Sequence, residues 1–343
     1  MATADAPTSA PVAWLPPELL ARIVELSVEG LPSTVRVRAA TLRNLALVAR
    51  AWVEPAQRAL ESKVHIDSYA RARAYLDRPR TLDRPPLLDE LVFFFDFAPQ
   101  EDDFYPVSDS QIRTICEMEC TIRSLHLRAT LFVHSFDLNL LRLCSFRGLR
   151  HLKLDVPVEV PAGVDSLPLR LERLSLSAMV DQPSSLFRVL LSSSKESLTV
   201  LDLFVIKSGS PLHERLVEAL PSLPSRLRQI SITTHWVPLP GSLVDLVASC
   251  TTLCALSLDG VISNELLELL PRLSSRSLLA LDLTVPATFT WYGSPIESFF
   301  DRVLREAAMR SLRNLAYVAT AGLAPSSLDE RGSSFASAGR PLP

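Results

Sequence analysis

The sequence predicts an α/β solenoid, with parallel strands on its concave face and helices on its convex face, behind a three-helix N-terminal module. Three observations predict it. Nine copies of a short apolar pattern, L-x-x-L-x-L with Ile, Phe or Tyr allowed, recur at intervals of 22–34 residues from Leu88 to Leu312. The segments between them carry helical periodicity. Residues 14–63 carry apolar stripes at helical spacing ahead of the first copy.

Residues 1–13 are rich in Ala, Pro, Ser and Thr and read as a disordered tail. In the module that follows, residues 14–63, Pro16 and Pro17 suit a helix start, where a missing N–H costs little. Leu15, Leu19, Ile23 and Leu26 then recur at helical spacing. Gly30 and Pro32 end that helix, and Thr34 suits the cap of the next. Leu42, Leu45, Val48, Ala49 and Trp52 form the stripe of a second helix, and Pro55 opens a third, to about Leu60.

Residues 64–320 are the predicted solenoid. Val64, His65 and Ile66 read as a degenerate first strand and residues 69–76 as its helix. The nine copies begin at Leu88, Ile122, Leu149, Leu171, Leu198, Leu227, Leu253, Leu278 and Leu312, a mean spacing of 28 residues. That lies in the leucine-rich-repeat range of about 20–29 residues. Positions 4 and 6 of each copy are two apart, so on a strand they point to one side, into the core. Position 1 is brought inward by the turn entering the strand. Helical spacing recurs between copies, at residues 184–191, 212–220, 243–248 and 264–270. A single strand–helix unit cannot bury its apolar face, whereas stacked units share one continuous core. Leu154, Leu176, Leu203, Leu258 and Leu283 belong to that core. The asparagine that usually follows the repeat strand is absent, and proline-rich turns at 155–168, 221–225 and 237–241 predict an irregular solenoid. Residues 321–343 read as a second disordered tail.

Composition narrows the function classes. Apolar residues make up 48% and charged residues 21%, the balance of a soluble globular protein. A net charge of −3 argues against a general nucleic-acid binder. The start carries no basic and apolar leader pattern, and no run of about 18 apolar residues occurs, so neither secretion nor a membrane partner is expected. Five cysteines without a CxxC pair do not form a disulfide framework, which places the chain in cytoplasm or nucleus. Only four of the 35 basic residues are lysine, a bias that a GC-rich genome explains.

Catalytic signatures are missing. There is no GxGxxG, P-loop, GxSxG, HExxH or EF-hand pattern, and ten glycines leave little material for a phosphate cradle. His213 and Glu214 lack the second histidine of a zincin. Cys116/Cys120 and Cys250/Cys254 are each four apart, but zinc would need two further ligands nearby. The acidic run Glu101–Asp103 reads as a solvated loop, and Arg71, Arg73, Arg78, Arg80 and Arg84 as a charged helix face beside a loop. No catalytic residue, metal or cofactor is expected.

The strings LPPELL (from Leu15) and VARAW (from Val48) are the distinctive part of the module. Together with the stripe between and after them they resemble the F-box, a helical module of about 50 residues, and F-box followed by leucine-rich repeats is a familiar order of domains. The resemblance implies a substrate-recognition adaptor of an SCF-type cullin–RING ubiquitin ligase. Leu15, Pro16, Leu19, Ile23, Val48 and Trp52 would contact a Skp-type adaptor, which links to the cullin scaffold, and the repeats would hold a protein substrate. The gap between the two strings, residues 25–44, is longer than the F-box usually has. The alternative is a leucine-rich-repeat interaction scaffold or inhibitor with no ligase link.

Positions 3, 5 and 7 of each copy point away from the core, onto the concave face. In the second to fourth copies they carry His126, Arg128, His151, Lys153 and Arg173, with Asp155 the only acid. In later copies they carry Asp202, Phe204, Asp259 and Asp282 and no base. These are the expected substrate-binding residues, on a face running from basic to acidic.

Overall fold

In the computed structural model the described residues are 15–29, 35–77, 88–94, 107, 109–118, 121–128, 135–177, 184–205, 225–234, 239, 241–259, 269, 272–273, 278–285 and 314–319. Both tails, the helices expected at 212–220 and 264–270 (except Leu269), Thr34, the acidic run and the Leu283 side chain lie outside them. The chain divides into two units, Met1–His65 and Ile66–Pro343.

The first unit holds three helices: α1 (Pro17–Glu29), α2 (Val35–Val48) and α3 (Arg50–Glu61). Two prolines start α1, and the Pro16 carbonyl accepts the Leu19 and Leu20 N–H groups at 3.0 and 3.1 Å. Leu20, Val24 and Val28, spaced four apart on one side of α1, are buried. Leu45, Trp52, Ala59 and Leu60 pack against the cluster of Val24, Val28 and Leu42. An Arg38 guanidinium N–H donates to the Ala59 carbonyl at 2.9 Å, tying α2 to α3.

One boundary differs from the sequence expectation. The second helix stops at Val48, because Ala49 is extended (φ −161°, ψ 158°), and the third begins at Arg50 rather than Pro55. Trp52 therefore belongs to α3, and its N–H closes the first turn on the Ala49 carbonyl at 2.9 Å. Pro55 is carried inside α3, near its start, where a missing N–H is tolerated better than in mid-helix.

The second unit is α/β, built on one large parallel sheet. The strands of that sheet are β1 (Lys63–Ile66, which spans the unit boundary), β2 (Leu88–Phe94), β3 (Ile122–Arg128), β5 (His151–Asp155), β7 (Arg173–Ser177), β8 (Val200–Val205), β9 (Gln229–Thr234), β10 (Ala255–Asp259), β11 (Ala280–Val285) and β12 (Asn314–Ala319). They lie side by side in that sequence order, an open arrangement compatible with a solenoid. Two short strands, β4 (Phe136–Asp137) and β6 (Val158–Glu159), form a separate parallel pair. Parallel neighbours need crossover connections. Among the described residues four contain the helices α4 (Tyr69–Asp77), α5 (Asp109–Met118), α6 (Ser184–Leu191) and α7 (Gly241–Ser249). The connection from β3 to β5 uses β4 and two 3-10 turns, Leu138–Arg142 and Cys144–Gly148.

The register is constant. Position 4 of each copy opposes position 4 of the next, as in Leu152–Leu174, Leu174–Leu201 and Leu201–Ile230. Position 6 does the same in Leu154–Leu176, Leu176–Leu203 and Leu203–Ile232. These residues are at most 2% exposed, and so are the position-1 leucines from Leu149 to Leu278. Leu154, Leu176, Leu203 and Leu258 are thus in the core as expected. At the strand entries the carbonyls of Arg150, Glu172, Thr199, Arg228 and Cys254 each accept two N–H groups from the next strand, at 2.7–3.1 Å.

Hydroxyl groups anchor the turns that lead into the strands. Buried Ser194 accepts the Leu171 N–H at 2.9 Å and donates to the Leu169 carbonyl at 3.3 Å. Ser197 donates to the Leu171 carbonyl at 2.8 Å, Ser193 to that of Leu167, and Thr252 to that of Leu227 at 2.9 Å.

Candidate interaction surfaces

In the first unit the inner stripe of α1 leaves a second apolar stripe outside. Leu15, Leu19, Ile23 and Leu26 follow a spacing of four, four and three residues, one side of a helix and its lead-in. They are 43%, 51%, 36% and 53% exposed. Pro16 is exposed too. Near the break between α2 and α3, Leu47 and Val48 are 83% and 65% exposed, and Val53 on α3 is 42% exposed. Five of the six residues that the sequence assigned to a partner contact are therefore open to solvent. Trp52 is the exception: it is half-buried against the helix core and acts there as packing. Leu26, Leu47 and Val53 were not singled out as contacts, although the spacing of Leu26 already placed it on the stripe.

In the second unit, positions 3, 5 and 7 lie on the side of the sheet opposite positions 4 and 6, where Val92 and Ser177 are buried and the other described side chains are at least partly exposed, and register makes each position a row across the strands. The position-5 row runs Val92, His126, Lys153, Ser175, Asp202, Ser231, Ser257, Asp282. The position-3 row contains His151 beside Arg173. The position-7 row contains Phe94, Arg128 and Asp155, then further along Phe204, Thr233 and Asp259. Every sequence-predicted substrate residue thus lies on this one face. Phe204 is 39% exposed.

The charges on this face are partly spent on one another. Asp155 Oδ2 lies 3.1 Å from His126 Nε2 and 3.6 Å from Lys153 Nζ. Asp202 Oδ2 accepts from Arg173 Nε at 2.8 Å and from Ser175 Oγ at 2.7 Å. Its buried Oδ1 has no hydrogen-bond partner. Exposed ion pairs contribute about 0.2–1 kcal/mol each, and the His126–Asp155 pair, with side chains only 18% and 20% exposed, is screened less by solvent. The basic half is thus less bare than the residue types alone implied, because Asp155 and Asp202 each reach a base 29 residues earlier in the chain, on the neighbouring strand. The Arg128 guanidinium sits 5.7 Å from the centre of the Phe94 ring, and that ring lies 6.4 Å from the His126 ring. This is cation–π distance.

Burial alone would raise the Asp155 carboxyl, but the His126 hydrogen bond and the Lys153 charge outweigh it and bring the group below its ordinary value. Burial, and then the Arg173 charge, push the His151 imidazole below its ordinary value.

No family model matches this chain, and no curated protein matches it.

What the two surfaces can do follows from their chemistry. Among the described residues no group of three or more His, Cys, Asp or Glu side chains could hold a metal ion. Cys250 is buried and its thiol is pushed up to about 12 by that burial, which keeps it protonated and unreactive. Among the described residues no helix is long and apolar enough to cross a membrane. The described residues present one apolar helical stripe and one charged sheet face.

Proposed function

We propose that this chain is a substrate-recognition adaptor of an SCF-type cullin–RING ubiquitin ligase. In this reading α1–α3 form an F-box-like module that binds a Skp-type adaptor. The strand–helix units of the second unit are leucine-rich repeats, and their solvent-facing strand positions hold the substrate protein. No residue of the chain does chemistry. The adaptor raises the effective concentration of substrate beside the ligase and so lowers the entropic cost of ubiquitin transfer.

The observation that carries the reading is the outer stripe of α1. A three-helix module that served only to end a repeat array would turn its apolar residues inward. Here Leu15, Leu19, Ile23 and Leu26 stay between 36% and 53% exposed although Leu20, Val24 and Val28 already supply the helix core. Several exposed apolar side chains on one helix side are the mark of an interaction site. The LPPELL and VARAW strings that prompted the F-box resemblance bracket that stripe and the exposed Val48.

The test is co-expression of the full chain with a Skp-type adaptor, followed by affinity capture. Wild type is expected to retain the adaptor. Leu19→Asp with Ile23→Asp is expected to lose it while keeping its helical circular-dichroism signal, because both side chains are exposed. A wild-type chain that captures no Skp-type adaptor refutes the ligase reading and leaves the interaction scaffold.

A further inference from the structure

The constant register places three bases on a diagonal of the solvent-facing sheet surface. Arg128 stands at position 7 of β3, Lys153 at position 5 of β5 and Arg173 at position 3 of β7. Each step moves one strand across and two residues back. Neighbouring strands are about 4.8 Å apart and two residues span about 6.6 Å, so each step is roughly 8 Å. In an extended peptide, side chains on one side repeat every two residues, also about 6.6 Å. The difference is within the reach of arginine and lysine side chains.

We propose that this diagonal is a docking track for an extended, acidic segment of a partner protein, with carboxylates on alternate residues. The proposal deepens the reading of the sheet face as the substrate surface and rests on that part of it alone. Each base keeps donors available. Arg128 stacks on Phe94, and among the described residues no carboxylate pairs with it. Lys153 reaches Asp155 only at 3.6 Å, with its side chain 43% exposed. Arg173 commits its Nε to Asp202, leaving the outer guanidinium nitrogens of a side chain 45% exposed. A guanidinium has five N–H donors, so a second carboxylate can be held in the same plane.

The face also limits what fits. Beyond the Arg173–Asp202 pair the charges at positions 3, 5 and 7 among the described residues are Asp259 and Asp282. A short acidic segment ends before reaching them, whereas a nucleic-acid backbone carries its negative charge onward into repulsion. The net charge of −3 adds to that bias.

The test measures fluorescence anisotropy of labelled peptides with the full chain and no adaptor present, so its outcome is independent of whether the first unit binds a Skp-type protein. The probes are Glu-Ser-Glu-Ser-Glu and the same composition in blocks, Glu-Glu-Glu-Ser-Ser. The alternating peptide is expected to bind at least fivefold tighter at low ionic strength and to weaken as salt is added. Arg128→Glu with Lys153→Glu is expected to cost at least tenfold and to gain affinity for Lys-Ser-Lys-Ser-Lys. The milder pair Arg128→Gln with Lys153→Gln, checked by thermal melting, separates loss of contact from loss of fold. No saturable binding of the alternating peptide, equal binding of the two acidic peptides, unchanged affinity in both double variants, or tighter binding of a single-stranded oligonucleotide would each overturn the proposal.

Discussion

Leu203 and Phe204 are neighbours in β8 and stand on opposite sides of the sheet. Leu203 is 2% exposed, and its row neighbours are Leu176 and Ile232. Phe204 is 39% exposed. Leu203→Ala removes a fully packed side chain from the middle of the sheet. The lost transfer free energy is about 1.5–3 kcal/mol, and incomplete collapse of the cavity brings the total to roughly 2–5 kcal/mol. The neighbours are held by strands in fixed register on both sides, so little collapse is possible and the upper half of that range is expected. Phe204→Ala deletes a larger side chain, yet one already in contact with water, and should cost less than about 1 kcal/mol. Urea unfolding followed by far-ultraviolet circular dichroism compares the two, with the midpoint read only where the slope is unchanged. If Phe204→Ala destabilises as much as Leu203→Ala, the alternation of β8 is wrong. The whole assignment of facing residues would then fail with it, since a one-residue slip exchanges the two sides.

Ser194→Ala leaves the Leu171 N–H without its 2.9 Å acceptor in a buried turn, so a loss of about 1–3 kcal/mol is expected in the same urea titration. A variant as stable as wild type would show that the hydroxyl does not anchor the turn. Asp155→Asn tests the charge cluster through pH. The folded carboxyl lies below its ordinary value of 3.8, so its contribution is present above that value and is lost as pH falls through the lower, folded one. The variant should melt lower than wild type at neutral pH, and its melting temperature should fall less steeply below about pH 4. Parallel acid limbs for the two proteins would remove Asp155 from the cluster.

The strands were legible because spacing and periodicity agree. The string L-x-x-L-x-L alone does not decide: it also stands at Leu42–Leu47, inside α2, and at Leu138–Leu143, on a 3-10 turn. What separates the nine strand copies is their recurrence at about one strand–helix unit. The second helix boundary was not legible, since alanine at position 49 favours a helix and only the extended backbone there ends it. The apolar stripe of α1 could be read in part. Its two sides, Leu15, Leu19, Ile23 and Leu20, Val24, Val28, are equally apolar, and only packing against Leu42, Leu45 and Trp52 reveals which one is buried. The cross-strand pairs His126–Asp155 and Arg173–Asp202 were hidden because they depend on register between copies, which no single copy encodes.

The buried rows and the proposed recognition face are carried by alternate residues of the same strands. Positions 1, 4 and 6 supply the buried rows, each side chain worth kilocalories, while exposed pairs on the solvent side contribute about 1 kcal/mol at most. The solvent-facing rows can therefore change sequence, and with it the partner, without threatening the fold. This freedom has one built-in limit. Asp202 binds both Arg173 and Ser175, so it fixes the last base of the diagonal and places a carboxylate immediately beyond it. Because Ser231 stands next in that row and Asp282 further along it, the potential changes sign within a few strand spacings. On the proposed docking, a face built this way disfavours a long run of either charge and favours a short one, which is selection by repulsion as much as by attraction.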